Sequence, residues 1–158
     1  ADNEAFGSGA LQSNTSGGRN VAIGRNALYA NTTAYDNTAV GWQALRYNNG
    51  YYNSALGRES LRNNTTGQQN TAVGYTALYT NTSASYNTAT GHESLRYNIT
   101  GSSNTATGRT ALRNNTTGGS NTALGMSALY SNINGTQNTA TGYIALNTNT
   151  SGGYNTAN

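Results

Sequence analysis

The chain has 158 residues, and its 34% hydrophobic and 8% charged content is typical of disordered or low-complexity proteins rather than of an ordinary globular core. It contains no cysteine, which excludes disulfides and cysteine-based metal sites. All eight basic residues are arginine, they form no run, and the net charge is only +3, so a nucleic-acid partner is not indicated. No apolar stretch approaches the ~20 residues of a transmembrane helix, and we expect no membrane insertion.

The chain is a tandem repeat with a unit of 17 residues and the consensus N-T-A-(V/T)-G-x-x-A-L-(Y/R)-x-N-(T/I)-(T/S)-G-x-x, whose positions are numbered one to seventeen below. The units begin at Asn3, Asn20, Asn37, Asn53, Asn70, Asn87, Asn104, Asn121 and Asn138, and a partial unit begins at Asn155. The unit that starts at Asn37 has 16 residues, and its missing residue falls in the turn 47–50. Residues 1–158 therefore form a single repeat array with no linker.

This repeat predicts an all-β fold, a parallel β-solenoid of about nine coils. Asparagine, threonine and glycine disfavour helix interiors, and a 17-residue period would make the apolar residues drift around a helix. We expect two short strands per coil, at positions one to four and seven to ten. Glycine at position five turns the chain at positive φ, and the N-T-T-G segment closes the coil. Coils stacked ~4.8 Å apart would form a rod.

The invariant positions indicate which residues face inward. Leucine at position nine is the clearest core column, and alanine at position three suggests a space with no room for a larger side chain. Strand alternation then places asparagine at position one inward too, where its amide can bond to the same residue of the next coil. In the opposite arrangement, positions two and four form the core and alanine at position three meets a neighbouring chain. We favour the first arrangement, and the second stays open at this point.

A second period of three coils overlies the first. Position ten reads Tyr29, Arg46, Arg62, Tyr79, Arg96, Arg113 and Tyr130, and position eleven carries tyrosine only at Tyr47 and Tyr97. This pattern indicates either a recent duplication or a surface feature that recurs every three coils, ~14 Å apart.

The sequence offers little for catalysis. His92 is the only histidine and lies at a variable position beside Glu93. Glu59 and Glu93 would lie ~10 Å apart, near the carboxylate separation of inverting glycosidases, but neither is expected to be buried as a general acid would be. We therefore predict that the protein is not an enzyme and has no cofactor and no metal site.

Aromatic and arginine residues at positions six, ten and eleven are the candidates for an attachment surface. Exposed tyrosine, tryptophan and arginine dominate recognition hot spots and can stack on sugars, and a weak site repeated along a rod gains strength through avidity. The alternative is that they only solvate the rod or join chains together. The candidate residues are Trp42, Arg46, Tyr47, Tyr75, Tyr79, His92, Arg96, Tyr97, Tyr130 and Tyr143.

Two further patterns compete for a function. Threonine pairs such as Thr88 and Thr90 would form a regular hydroxyl grid on a flat face, which is a pattern suited to ice binding, although the same column contains valine and leucine elsewhere. The motif Asn-x-Ser/Thr marks possible glycan acceptors, or arises as a by-product of turn chemistry. The candidate acceptors among them, all at position twelve, are Asn31, Asn64, Asn81, Asn98, Asn115 and Asn149.

The unit N-T-A-V-G-x-x-A-L resembles the S-V-A-I-G-type repeats of YadA-like heads in trimeric autotransporter adhesins. It is still more similar to the N-T-A-(I/V)-G-Y-x-A-L-Y-x-N-T-T-G arrays of bacterial and viral tail-fibre proteins, which residues 70–79 match almost letter for letter. The resemblance covers nearly the whole chain. It implies a parallel β-solenoid rod, often trimeric, that serves attachment at a cell or virion surface.

We therefore expect an extracellular fibre or adhesin segment. Neither end carries a capping sequence, which favours either a piece of a longer fibre or end-to-end stacking. The expected partners are further copies of the chain, as a homo-oligomer, with a trimer plausible, or as an end-to-end filament, and cell-surface carbohydrate.

Overall fold

The computed structural model describes residues 2–158 as a parallel β-solenoid, which confirms the predicted fold. Ten short strands form one sheet in chain order, each paired in parallel with the next. The strands are β1 (Glu4–Phe6), β2 (Val21–Ile23), β3 (Thr38–Val40), β4 (Ser54–Leu56), β5 (Thr71–Val73), β6 (Thr88–Thr90), β7 (Thr105–Thr107), β8 (Thr122–Leu124), β9 (Thr139–Thr141) and β10 (Thr156–Ala157). Within residues 2–158 the structure has no helix of the length and apolarity needed to cross a membrane.

Each repeat position pairs with its own copy in the next coil. Ala72 pairs with Ala89, and the 16-residue coil keeps the same register, since Ala39 pairs with Ala55. The shorter coil therefore absorbs its missing residue outside the sheet, as the sequence predicted. In-register pairing places identical residue types above one another along the whole rod.

The predicted second strand is wrong, because positions six to eleven form a turn rather than a strand. Gln43 and Leu45, at positions seven and nine, have φ of 57° and 49°, in the left-handed region that β-strands avoid. The backbone still bonds between coils: the Leu45 N–H donates to the carbonyl of Ser60 at 3.0 Å, and that of Gln43 to Arg25 at 3.0 Å. These bonds with both neighbouring coils help to hold each leucine in a conformation that costs ~1–2 kcal/mol.

Glycine at position five has positive φ, as predicted. Gly74 has φ of 133°, and a Cβ added there would lie 2.5 Å from the carbonyl oxygen of Gly91 in the next coil. Both the dihedral angle and the close approach of the two backbones therefore require glycine.

Leucine and alanine build the core. The leucine ladder at position nine is buried along the rod, together with the alanines at positions three and eight. Its fully buried members are Leu28, Leu45, Leu61, Leu78, Leu95, Leu112 and Leu129. Because each coil is covered by its neighbours, one leucine and two small residues per coil are enough to exclude water.

Two asparagine ladders run beside the leucine ladder. At position one, Asn70 donates its Nδ2 to the Oδ1 of Asn53 at 3.1 Å and to the carbonyl of Ala84 at 2.9 Å. At position twelve, Asn81 donates to the Oδ1 of Asn64 at 2.7 Å and to the same Ala84 carbonyl at 3.0 Å. The ladder predicted at position one is confirmed, and the carbonyl at position fifteen joins it to a second one.

The short coil interrupts the second ladder. Asn48 donates to the carbonyl of Gly50, in its own coil, at 2.7 Å instead of bonding to Asn31 in the preceding coil. The Oδ1 of Asn31 is consequently buried with no hydrogen-bond partner among residues 2–158. A buried acceptor left unpaired costs ~1–3 kcal/mol, so the junction between these two coils is less favourable than the others.

Positions two and four face outward. In β4, Ala55 is buried between an exposed Ser54 and Leu56, which is 52% exposed. Every complete strand from β2 to β9 has its central alanine buried in this way. The alternative in which positions two and four form the core is therefore excluded.

The leucine ladder can be tested with a matched pair of substitutions. Leu78→Ala should lower the free energy of unfolding by about 2–5 kcal/mol, because it leaves a cavity in a fully packed column. Leu56→Ala removes the same atoms from an exposed position and should cost about 0.5 kcal/mol or less. Denaturant titration measures both, and equal losses would contradict the inward assignment.

Candidate functional site

The structure divides the predicted attachment residues between two columns that run along the rod. Those at position six are Trp42, Tyr75, His92 and Tyr143, and those at positions ten and eleven are Arg46, Tyr47, Tyr79, Arg96, Tyr97 and Tyr130. The first column is the more exposed: all four of its members are exposed, whereas only Tyr47 is exposed in the second. The two columns therefore contribute differently to any contact with a ligand.

The second column is a continuous stack in which tyrosine rings and guanidinium groups alternate, and we call it the tyrosine–arginine column. In chain order it contains Tyr29, Arg46, Tyr47, Arg62, Tyr79, Arg96, Tyr97, Arg113 and Tyr130, with each guanidinium 4.9–6.0 Å from the centroids of two rings. Cation–π contacts of this kind contribute ~0.5–1 kcal/mol each when exposed and more when desolvated.

This stack accounts for the period of three coils. Three successive coils supply one tyrosine, then an arginine and a tyrosine, then one arginine, as in Tyr29, Arg46, Tyr47 and Arg62. Strict alternation of ring and cation is therefore complete only after three coils. The stack is thus a structural counterpart of the three-coil surface feature, which is one of the two explanations that the sequence left open.

Position seven anchors the column at equivalent places. Arg62 donates its Nε to the Oε1 of Gln43 at 2.8 Å. One period later, Arg113 donates its Nε to the Oε2 of Glu93 at 2.7 Å. The chain thus contains a neutral and a charged version of the same contact.

Glu93 is the more strongly held of the two acceptors because it also forms an ion pair with Arg96. Partial burial acts to raise its pKa, but the hydrogen bond from Arg113 and the charges of Arg113 and Arg96 outweigh this, so the pKa lies below its ordinary value. The Arg113 pKa is raised: its burial opposes the rise, and the hydrogen bond and charge of Glu93 cause it.

The position-six column is a shorter stack. The guanidinium of Arg58 lies between the rings of Trp42 and Tyr75, at 4.8 and 5.7 Å from their centroids. Tyr75 stacks on His92 with 5.2 Å between centroids. Tyr143, further along the same column, is 68% exposed.

Position-seven side chains lie between the two columns, and we call this strip of the surface the groove. Glu59 bridges it, since its carboxylate oxygens lie 3.6 Å from the Nε atoms of Arg58 in one column and Arg62 in the other. The groove widens into a cavity of about 370 Å³. This cavity is lined by Glu93, Arg109, Thr110, Arg113, Met126, Ser127 and Tyr130.

The groove face carries most of the charge of the protein. It holds seven of the eight arginines, three at position six and four at position ten, against two acids, Glu59 and Glu93, at position seven. Seven positive and two negative charges leave +5 on this face. Arg19 and the other three acids contribute −2, in agreement with the total of +3. The sequence prediction missed this segregation, although it can be read by sorting charges by repeat position.

The six asparagines predicted as glycan acceptors belong to the position-twelve ladder. Asn31, Asn64, Asn81, Asn98 and Asn115 are fully buried. Asn149 is partly buried, and its Nδ2 donates to Asn132 and to Gly152, both at 3.0 Å. Because these amide nitrogens are engaged inside the coil, the folded chain does not present them as glycan acceptors.

The threonines at position two form an exposed column on the strand face. They pair in register from Thr71 through Thr88 and Thr105 to Thr122 and Thr139. Position four, beside them, carries threonine only at Thr90, Thr107 and Thr141, and exposed Leu124 interrupts that run.

No protein-family model, curated protein or solved structure matches this chain. The likeness to adhesin-head and tail-fibre repeats thus stays a prediction from the sequence.

The Glu93 contact predicts a pH dependence of stability. Because its pKa is lower in the folded chain than the ordinary 4.5, the unfolded chain takes up the proton more readily. Glu93 therefore stabilises the fold at pH values above its ordinary pKa. This contribution is lost as the pH falls through the lower pKa that Glu93 has in the folded chain. Glu93→Gln should keep a hydrogen bond to Arg113, as Gln43 does to Arg62, but remove this part of the acid destabilisation.

Denaturant titrations of the wild type and of Glu93→Gln between pH 7 and pH 3 measure the difference. The two proteins should converge in stability as the pH falls. Parallel pH profiles would show that Glu93 titrates in the folded chain as it does in the unfolded chain.

Proposed function

We propose that the chain is a non-enzymatic extracellular fibre segment, a rod whose groove face serves for attachment. One observation carries this proposal. Within a single repeat unit, the positions that build the core are nearly constant, whereas the groove positions six and ten carry arginine and aromatic residues in exposed or half-exposed columns. A scaffold that only had to be long would not need them.

The rod itself suits a spacer. Each coil bonds only to the coils before and after it, so length can change by adding coils without a new core. The residues of the two columns then recur from coil to coil along one face of the rod. Repetition favours weak binding to a repetitive surface such as cell-surface carbohydrate, since avidity replaces single-site affinity.

Lateral assembly is a second element of the proposal. From β1 to β5, position four presents an apolar stripe in which Phe6 is 78% and Leu56 is 52% exposed and Ile23 is also exposed. A stripe of this kind is typical of protein–protein contacts. We therefore assign position four to contact with further copies of the chain, in a homo-oligomer such as a trimer, or in a filament that needs no ligand.

Ice binding through the threonine face is a second candidate function. It is favoured by the exposed, in-register threonine column at position two, which repeats along the sheet at ~4.8 Å. The apolar residues at position four weigh against it, because they interrupt the paired threonine column that a regular hydroxyl grid would need.

The attachment proposal is tested with a glycan array probed by the wild type and two tyrosine variants. Tyr75→Ala, in the position-six column, should reduce glycan binding, whereas Tyr86→Ala should not, because Tyr86 is exposed at position seventeen, outside the groove. Binding to no glycan, together with faceting of ice crystals by the same sample, would favour the threonine face instead.

Lateral assembly is tested with Val73→Lys. Because position four faces outward, this variant should keep the circular dichroism spectrum of the folded wild type but weaken self-association in light scattering. Thr66→Lys adds the same charge in the exposed closing turn and should leave association unchanged. A wild type that stays monomeric over a wide concentration range would contradict the assignment.

A further inference from the structure

We infer that the groove binds an acidic polysaccharide, with a carboxylate of one sugar held by Arg109 at the widened part of the groove. This inference rests on the proposed attachment function and names its ligand class. Three observations support it: which groove arginines are paired with protein groups, which side chains line the cavity, and the net positive charge of the groove face.

Arg109 differs from the other cations near the cavity. Arg96 and Arg113 are committed to Glu93, and each also contacts two tyrosine rings. Arg109 is exposed, lines the cavity, and forms neither a salt bridge nor a cation–π contact among residues 2–158. Its guanidinium is therefore available to a carboxylate of the ligand. The planar guanidinium can bind a carboxylate through two parallel hydrogen bonds.

The rest of the cavity offers groups that complement a sugar ring. The Oγ1 of Thr110 donates to the carbonyl of Arg109 at 2.7 Å and lies 2.9 Å from the Oγ of Ser127, which therefore donates to it. Both oxygens keep lone pairs that can accept hydrogen bonds from sugar hydroxyls. Met126 is 40% exposed and supplies apolar surface for the C–H face of the ring. The volume of about 370 Å³ falls within the ~300–1,000 Å³ of small-ligand sites.

The shape and charge of the whole face favour a polymer over a single acidic sugar. The groove is bordered by columns that run from coil to coil, and its net +5 is spread along them. A linear polyanion that lies along the rod would meet these charges in succession. Its affinity would then fall with added salt, because exposed charges are screened.

The tyrosine–arginine column argues for sugar rather than for single-stranded nucleic acid. Binding of single strands relies on aromatic faces that are free to stack on bases. Here the rings of Tyr47, Tyr79 and Tyr97 each have an arginine on either side along the column. The rings are therefore occupied by the protein's own cations, and the column presents edges and hydroxyls rather than free faces.

The test is calorimetric titration of the assembled protein with polygalacturonate fragments and with the same fragments after reduction of their carboxyl groups. The acidic fragments should bind and the reduced ones should bind at least tenfold more weakly. Arg109→Gln should weaken binding of the acidic fragments by roughly tenfold, as expected for loss of a charged hydrogen-bonding group. Arg19→Gln removes an equal charge away from the groove, where Arg19 pairs with Asp36, and should leave binding unchanged.

Four outcomes would overturn the inference. Equal binding of both fragment types, or equal weakening by both arginine variants, would show that Arg109 does not recognise a carboxylate. In either case the protein would still bind a polysaccharide, so the proposed attachment function would not be contradicted. A single-stranded DNA that binds as tightly, with the same dependence on Arg109, would assign the groove to another polymer. If neither fragment type nor any glycan on the array binds, the attachment function fails together with this inference.

Discussion

In-register stacking is the constraint on which the rest of the structure depends. Because every residue lies above its own copy, each side chain has to be compatible with itself at the distance of one coil. Asparagine meets this condition: its amide donates to the oxygen of the preceding copy, as Asn70 does to Asn53. The shared carbonyl of Ala84 then fixes two such ladders with respect to each other. The interior is thus held by hydrogen bonds as much as by the leucine column, which explains how so little apolar material suffices.

The same constraint shapes the outside. Arginines stacked directly on one another would repel, and Arg46 and Arg62 occupy position ten in adjacent coils. The ring of Tyr47 contacts both guanidinium groups, at 5.0 and 5.3 Å, and so separates two like charges with a partner that attracts each of them. The tyrosine–arginine column therefore lets the rod concentrate positive charge on one face without losing its register. It places that charge beside the groove, where Arg109 remains uncommitted.

Much of this architecture was predictable from residues that hardly vary. Leu78, Ala72 and Asn70 recur at fixed positions. The invariance of leucine and alanine indicated the core, and strand alternation together with the ability of an amide to bond to its own copy placed Asn70 beside Ala72. The turn that contains Leu45 was not predictable, because leucine rarely adopts positive φ and carries no local signal for it. The stacks, the groove and its cavity depend on side-chain directions across neighbouring coils, which spacing in one chain does not reveal.

The unpaired Oδ1 of Asn31 has a consequence for how the rod comes apart. In a linear array, cooperativity depends on the coupling between each coil and the next, and a single weaker coupling divides the array into blocks. The junction between the coils that begin at Asn20 and Asn37 lacks a hydrogen bond that the position-twelve ladder has at its other junctions. Local opening is easiest where buried bonds are fewest, so we expect amide protons next to this junction to exchange with solvent ahead of those in the interior coils. One deleted residue in a turn would then set a boundary between two cooperative blocks of the repeat array.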